Sequence, residues 1–515
     1  MRKQQTDHLV QLIRSLTKAE KRHFRLFVTR NQASDNILFL QLFDVIEKYK
    51  DYEEEIILKK IPQIKKRQLS NLKAHLYKQL LMSLRLLSKN YNKDIEIREK
   101  LDYAKVLYTK GLYRQSLEML EKTKSLAKKF NQNLLELEII AFEKLIESQY
   151  ITRSIDTRAD ELTTEAVSAV ERVKGINTFS NLSLQLYGLY LKVGYVRNEK
   201  DHYFVKEFFN ANLPNYKFED LGFYEKMYLY QSYVWYSHTT QDFLHCYKYA
   251  QKWVDLFEGY PEMKALETPL YLKGLHNLLS SLFYLSHYDR FVEVMDKLKA
   301  FETTYKVKQN TNVEGMLQLF KYIHRINFHY LEGTFEEGLE FVPELEKIIK
   351  TNQYNWDPYR IMVFNYRIAC LYFGSSDYDN TILYLNRILN APNPNYREDI
   401  QAFARFLNLM AHYELDHMQL VEYLVKSVYR FLNKREELHQ VLKEIILFIR
   451  RLPRVHKDDI DKEFIKLRDN LVKIENNPYE RRPFLHLDII SWLEGKIQDK
   501  PIQEVIRQKF LDRSR

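Results

Sequence analysis

Glycine and proline are scarce, with 12 of each in 515 residues. They punctuate hairpins, sandwiches and phosphate loops, so their scarcity favours long helices joined by short connections. Neither G-x-x-x-x-G-K-[ST] nor G-x-G-x-x-G occurs, and no strand is available to precede one. Cysteine is nearly absent. Cys246 and Cys370 lie far apart, which excludes a disulfide framework or a cysteine-rich zinc site. Two such thiols suit a reducing cytoplasm, the expected location. H-E-x-x-H and C-x-x-C are missing, and so is the serine elbow G-x-S-x-G. His324 with His329, and His412 with His417, are five apart, a spacing that does not project both rings from one helix face. No catalytic, metal or cofactor residue is therefore assigned, and no enzymatic activity or cofactor is expected. No window approaches the roughly 18 uninterrupted apolar residues a membrane helix needs. MRKQQTDHLV is not followed by an apolar run of signal-peptide length. A membrane partner is not expected.

What the chain does contain is a folded-protein share of apolar residues, 45%, and 38 tyrosines. Tyrosine pairs an apolar body with one polar tip, which suits partly dry helix interfaces. The net charge is +10. Residues 1–100 hold 22 Lys and Arg against 12 Asp and Glu, so the whole excess lies in that first fifth. Such asymmetry points to an anionic partner for this segment.

Helical periodicity dominates. Leu69, Leu72, Leu76, Leu80, Leu84 and Leu87 recur at three and four and build one apolar stripe, while Arg67, Lys78, Arg85 and Lys89 share the opposite face. Thr17 and Glu20 form a capping box that starts a helix at Lys18. On that helix Lys18, Lys21, Arg22 and Arg25 fall within roughly a 100° arc, and Phe24, Phe27 and Val28 lie outside it. If adjacent, the two basic faces would make an anion or nucleic-acid patch whose affinity falls steeply with salt.

From about residue 96 a unit recurs. Tyr113 lies in YAKVLYTKGLYRQSLEMLEKTKSLAKKF, and Phe243, Tyr288, Phe335, Tyr378 and Leu420 take matching places, the last four at intervals of 45, 47, 43 and 42. In one of the two best units Ala104 and Leu107 precede Gly111, Tyr113, Ser116 and Leu120. In the other, Ala369 and Tyr372 precede Ser376, Tyr378, Thr381, Leu385, Ile388 and Pro392. A small residue lets two helices approach, a glycine or serine takes the turn, and the aromatic wedges between them. Cys246 and Gly338 keep the second small position, and Phe291 and Tyr423 break it. This pattern resembles the tetratricopeptide repeat, with a period stretched beyond its usual 34 residues. Gly333 and Gly338 then belong to a turn and a packing position.

The resemblance implies an all-α, right-handed superhelical solenoid of antiparallel helix pairs over 96–452. A basic N-terminal helical segment, 1–95, would precede it, and a C-terminal helical cap, 453–515, would follow. Helix breaks are expected at 174–177, 212–222, 258–269, 391–399, 451–459 and 476–484, where glycine or proline interrupts the pattern. It also implies a concave groove for a peptide or partner helix. Offsets from the anchors place Tyr228, Gln231, Trp235 and His238 in it, then His276, Ser280 and Phe283, then Asn327 and Tyr330. Tyr366, Cys370 and Phe373 follow, then Arg405, Asn408 and His412. This mix of aromatic, amide, imidazole and guanidinium groups suits peptide recognition, while for any single aromatic a core position between helices is the favoured reading. The expected function is a non-catalytic cytoplasmic scaffold or adaptor binding a protein or peptide. The alternative is a nucleic-acid-associated regulator that holds DNA or RNA with its basic N-terminal helices while the repeats sense a partner.

Overall fold

A computed structural model describes residues 7–31, 37–49, 54–88, 92–149, 157–304, 310–391, 398–434, 440–452, 455–456, 459–475, 477, 479–480, 484 and 487–513. Every regular element among them is a helix, and no strand occurs. The chain divides into two compact units, Met1–Lys174 and Gly175–Arg515.

The first unit holds two main apolar cores. One joins His8–Ser15, Lys18–Asn31, Ile37–Lys48, Glu54–Lys60 and Lys66–Ser88 around Ile13, Phe24, Leu42, Phe43, Leu76 and Leu80. The capping box forms as its residues require: Thr17 Oγ1 accepts from the Glu20 amide at 3.3 Å, and Glu20 Oε2 accepts from the Thr17 amide at 2.6 Å. A second core joins Lys93–Thr109, Tyr113–Lys129 and Asn133–Glu147. Beside it lies a buried ion cluster. Lys124 Nζ reaches Glu143 Oε2 at 2.7 Å and Glu165 Oε2 at 2.9 Å, and Arg172 reaches Glu136 Oε1 at 2.7 Å. Burial raises the Glu143 pKa even against the attraction of Lys124.

Helix Arg158–Val193 runs straight through 174–177, where a break was expected. A single glycine weakens a helix by only about 1 kcal/mol. Here Gly175 also leaves room for the Glu225 side chain, which a Cβ would strike.

In the second unit most helices come as consecutive pairs with one turn in common. The first helix ends, one residue adopts positive φ, and the second helix starts two positions later. That residue is Gln241, Ser286, Gly333, Ser376 or Asp416, with φ between 56° and 68° except at Ser286, where it is 54°. In the first unit Gly111 does the same at 75°. Each turn closes with a backbone bond from the following residue to the carbonyl five back, as in His287 to Leu282 at 3.0 Å and Asp377 to Tyr372 at 2.9 Å. This is the Schellman geometry, which satisfies carbonyls the helix end leaves open.

The turn also fixes the register. The second helices begin at Tyr113, Phe243, Tyr288, Phe335, Tyr378 and Met418. Met418, not Leu420, therefore matches the aromatic anchors, and Leu420 is 41% exposed. Three residues on, Val421 is buried, so the apparent break at Tyr423, 68% exposed, disappears. Phe291 is a large residue at the same place and is completely buried there. Where the residue is Ser, Cys or Thr its side chain bonds the first helix twelve positions back: Ser116 Oγ to Ala104 O at 2.8 Å, Cys246 Sγ to Val234 O at 3.9 Å, and Thr381 Oγ1 to Ala369 O at 3.5 Å.

Residues 212–222 form the expected connection, with one short 3-10 turn at Phe218–Asp220. The region 258–269 contains a six-residue helix, Pro261–Leu266. Residues 392–397, 453–454, 457–458, 476, 478 and 481–483 of the other expected breaks lie outside the described residues.

The C-terminal helices reach back along the pair turns. On Ile489–Gln498, Trp492 Nε1 donates to Glu414 Oε1 at 2.6 Å and Lys496 pairs with the same carboxylate. Helix Ile502–Arg513 packs on Thr311–Glu332. Arg507 Nη1 donates to the Glu332 carbonyl at 3.2 Å, Gln503 Oε1 accepts from the Glu336 amide at 3.0 Å, and Phe510 meets the Tyr288 ring edge to face at 4.7 Å.

Candidate partner-binding surface

The first helices of successive pairs, Thr268–Tyr284, Thr311–Glu332, Pro358–Gly374 and Glu398–Glu414, touch one another in order. A row of polar side chains crosses three of them. His276 Nδ1 lies 2.8 Å from His324 Nε2, Asn327 Nδ2 lies 3.3 Å from His324 Nδ1, and Arg367 Nη1 donates to Asn327 Oδ1. Tyr330 donates to the Arg367 carbonyl at 2.7 Å. Phe320 stacks on His276 with centroids 4.2 Å apart. Burial, reinforced by Arg367, His238 and Arg360, pushes the His276 pKa down to about 3. His324 is lowered strongly for the same first reason. Both rings are neutral at pH 7, so they relay hydrogen bonds and carry no charge.

The expected groove residues divide. Tyr228, Gln231, Trp235, His238, His276, Ser280, Phe283 and Tyr330 are partly exposed along this face. Trp235 stacks on Tyr190 at 5.5 Å, and His238 Nε2 lies 3.2 Å from the Tyr195 hydroxyl. Asn327, Tyr366, Cys370 and Phe373 are buried, so they support the surface from beneath. Burial also raises the Cys370 and Cys246 thiols to about 12, which leaves both unreactive.

Arg405, Asn408 and His412 are out of register with the rest because the second helix of their pair begins at Met418, two residues before Leu420. Counting from Met418 puts Phe406, Met410 and Tyr413 in the equivalent places. Arg405 instead lies over Phe431 of its own pair at 4.2 Å, Asn408 is buried, and His412 meets His417 across the turn, Nδ1 to Nδ1 at 3.0 Å. His329 bonds Thr334 Oγ1 at 2.9 Å within its own turn. Among the described residues no cluster of three or more His, Cys, Asp or Glu could hold a metal ion.

Three cations escaped the sequence reading: Lys273, Arg360 and Arg367. Lys273 precedes His276 by one helical turn, but the two arginines lie on a different helix, so no single stretch of sequence holds all three. At the turn end of the same helices lies a cavity of about 1180 Å³, lined by Phe283, Tyr330 and Cys370 on one side and Phe484, Leu487 and Ile506 on the other. The chain's own C-terminal segment thus supplies one wall of the space beside the expected groove.

The basic N-terminal helices are partly neutralised. Arg25 pairs with Asp44 at 2.8 Å and Glu47 at 2.6 Å, Lys21 with Glu47 at 3.2 Å, and Arg85 with Asp102 at 3.4 Å. Lys18, Arg22, Arg67 and Lys78 are exposed, and Lys89 lies outside the described residues. His23 Nδ1 to Ser83 Oγ at 2.9 Å links helices Lys18–Asn31 and Lys66–Ser88. Among the described residues no helix is long and apolar enough to cross a membrane. Comparison with protein-family models, curated proteins and solved structures finds no match.

Proposed function

We propose that the chain is a non-catalytic scaffold or adaptor in the cytoplasm. Its helix pairs stack as a right-handed superhelical solenoid of antiparallel pairs, tetratricopeptide-like in its packing. The first helices of successive pairs offer a protein or peptide partner one continuous concave surface. The hydrogen-bonded row from His276 through His324 and Asn327 to Arg367 carries this reading. Such a row fixes three helices in one register and leaves adaptable polar and aromatic tips along a shared face. Interfaces of this kind combine rigid aromatic anchors with hydrogen-bonding groups.

Affinity purification from the native cell, with nuclease-treated and untreated arms, tests the proposal. A specific protein should be recovered in both arms and lost with Gln231→Arg or Ser280→Arg, which place bulk and charge on the partly exposed face. If folded variants retain that protein in full, the surface is not the binding face. Loss of the protein only after nuclease treatment would point to the basic helices of the first unit.

A further inference from the structure

The shared face carries positive charge with little to balance it. Arg367 is half-buried, and its side-chain partner is the neutral amide of Asn327. Lys273 makes no ion pair among the described residues. Its side chain reaches solvent, yet partial desolvation and the nearby guanidinium of Arg360 lower its pKa. Among the described residues Arg360 pairs only with Asp357, at 3.2 Å and with both side chains about half exposed, a contact that holds little energy. The charged neighbours that act on His276 are Arg367 and Arg360, with the imidazole of His238 beside them, and no carboxylate is among them. A partly desolvated guanidinium without a counter-charge is costly, so the face is incomplete as an electrostatic unit.

The charges also have a spacing. Arg360 and Arg367 stand seven residues apart on Pro358–Gly374, roughly 10 Å along a helix at 1.5 Å per residue. Lys273 lies within electrostatic reach of Arg360, and Arg367 is joined to His276 through Asn327 and His324. An extended peptide advances about 3.3 Å per residue, so three residues span the same distance.

We infer that this face binds an acidic peptide in extended form, with one carboxylate at Lys273 and Arg360 and a second, three residues along, at Arg367. The inference rests on the scaffold reading and names the chemistry of its partner. Charge-assisted hydrogen bonds to guanidinium are the strongest polar contacts available to such a ligand.

Fluorescence anisotropy with the full chain tests it. The probes are fluorescein-labelled nonapeptides of apolar and serine residues carrying two glutamates one, three or five positions apart, with glutamine counterparts and a DNA duplex. The spacing of three should bind best, and each Glu to Gln change should weaken it about tenfold, as loss of one charged hydrogen bond does. Lys273→Glu with Arg360→Glu, both on exposed side chains, should abolish discrimination at one glutamate and leave the other intact. Arg367→Lys should keep binding in part, while Arg367→Met should erase discrimination at the second glutamate. Equal affinity for glutamine peptides, no dependence on spacing, or tighter binding of the duplex through the same residues would overturn the inference. None of these outcomes touches the scaffold reading, which stands or falls with the Gln231 and Ser280 variants and the native partner.

Discussion

Replacing Gly333 by alanine would set a Cβ 2.6 Å from the amide nitrogen of Arg507 and 3.1 Å from the carbonyl oxygen of Gln503. Both are backbone atoms, so no side chain can rotate out of the way. Helix Ile502–Arg513 would have to retreat by roughly 1 Å to restore ordinary contact. The glycine also has φ +68°, a conformation that costs an L side chain about 1–2 kcal/mol. That strain falls on the pair turn whether or not the helix is docked, so it lowers the stability of the turn, and it is the clash that raises the undocked population of the helix. Docking rests on three well-buried residues, Ile502, Val505 and Ile506, each worth about 1.5–3 kcal/mol before ordering entropy is subtracted. Gly333→Ala should therefore loosen this helix without unfolding the second unit. Amide hydrogen exchange across 502–513 reads the open population directly, and tryptic cleavage at Arg507 and Lys509 follows it when reclosing is fast. Gly333→Asn tolerates left-handed backbone better but carries the same Cβ, so it separates clash from strain. Gly188→Ala, whose Cβ would meet nothing within 4 Å, is the control. Unchanged exchange at 502–513 in Gly333→Ala would refute the close packing described for this contact.

In the first unit, Lys124→Met should cost about 3–5 kcal/mol in chemical denaturation, because Glu143 would keep a buried charge with its main partner gone. Adding Glu143→Leu should recover most of that loss, and a single-variant loss below about 1 kcal/mol would contradict it. His276 is held below its unfolded value, near 6.5, by burial and by Arg367, His238 and Arg360, with His324 in direct contact. The unfolded chain takes up the proton first, so this contribution to stability is present above pH 6.5 and lost as pH falls from about 6.5 to about 3. Denaturation midpoints for His276→Gln should show a shallower decline across that window, and an unchanged slope would rule out the assignment.

Much of the helical pattern was legible because leucine and aromatic spacing reports which helix face is buried. The capping box at Thr17 and the Leu69–Leu80 stripe needed only local rules. The frame of the last pair was not legible. Its turn residue is Asp416, and across the six turns the left-handed position holds Gly, Gln, Ser, Gly, Ser and Asp. Glycine marks such a position clearly, whereas the other residues adopt it only because the surrounding helices impose it. The candidate surface was harder still. Tyr366 and Phe373 share the periodicity of Phe283, yet burial by distant chain separates them, and periodicity carries no information about such contacts. Lys273, Arg360 and Arg367 come together from different helices, so no short window contains them.

The contact between Arg507 and Glu332 closes a span of 175 residues, whereas the pairs themselves close over about a dozen. Loop-closure entropy makes the longer span roughly 2 kcal/mol more expensive to form. During synthesis at about 5–20 residues per second, the end of Thr311–Glu332 waits some 10–35 seconds for its cover to emerge. Throughout that interval the rings of Tyr288 and Phe335 and the wall of the 1180 Å³ cavity lack their C-terminal half. A nascent chain of this protein thus passes through a defined stage with that surface open, at which a chaperone or an early-arriving partner meets a different molecule from the finished one.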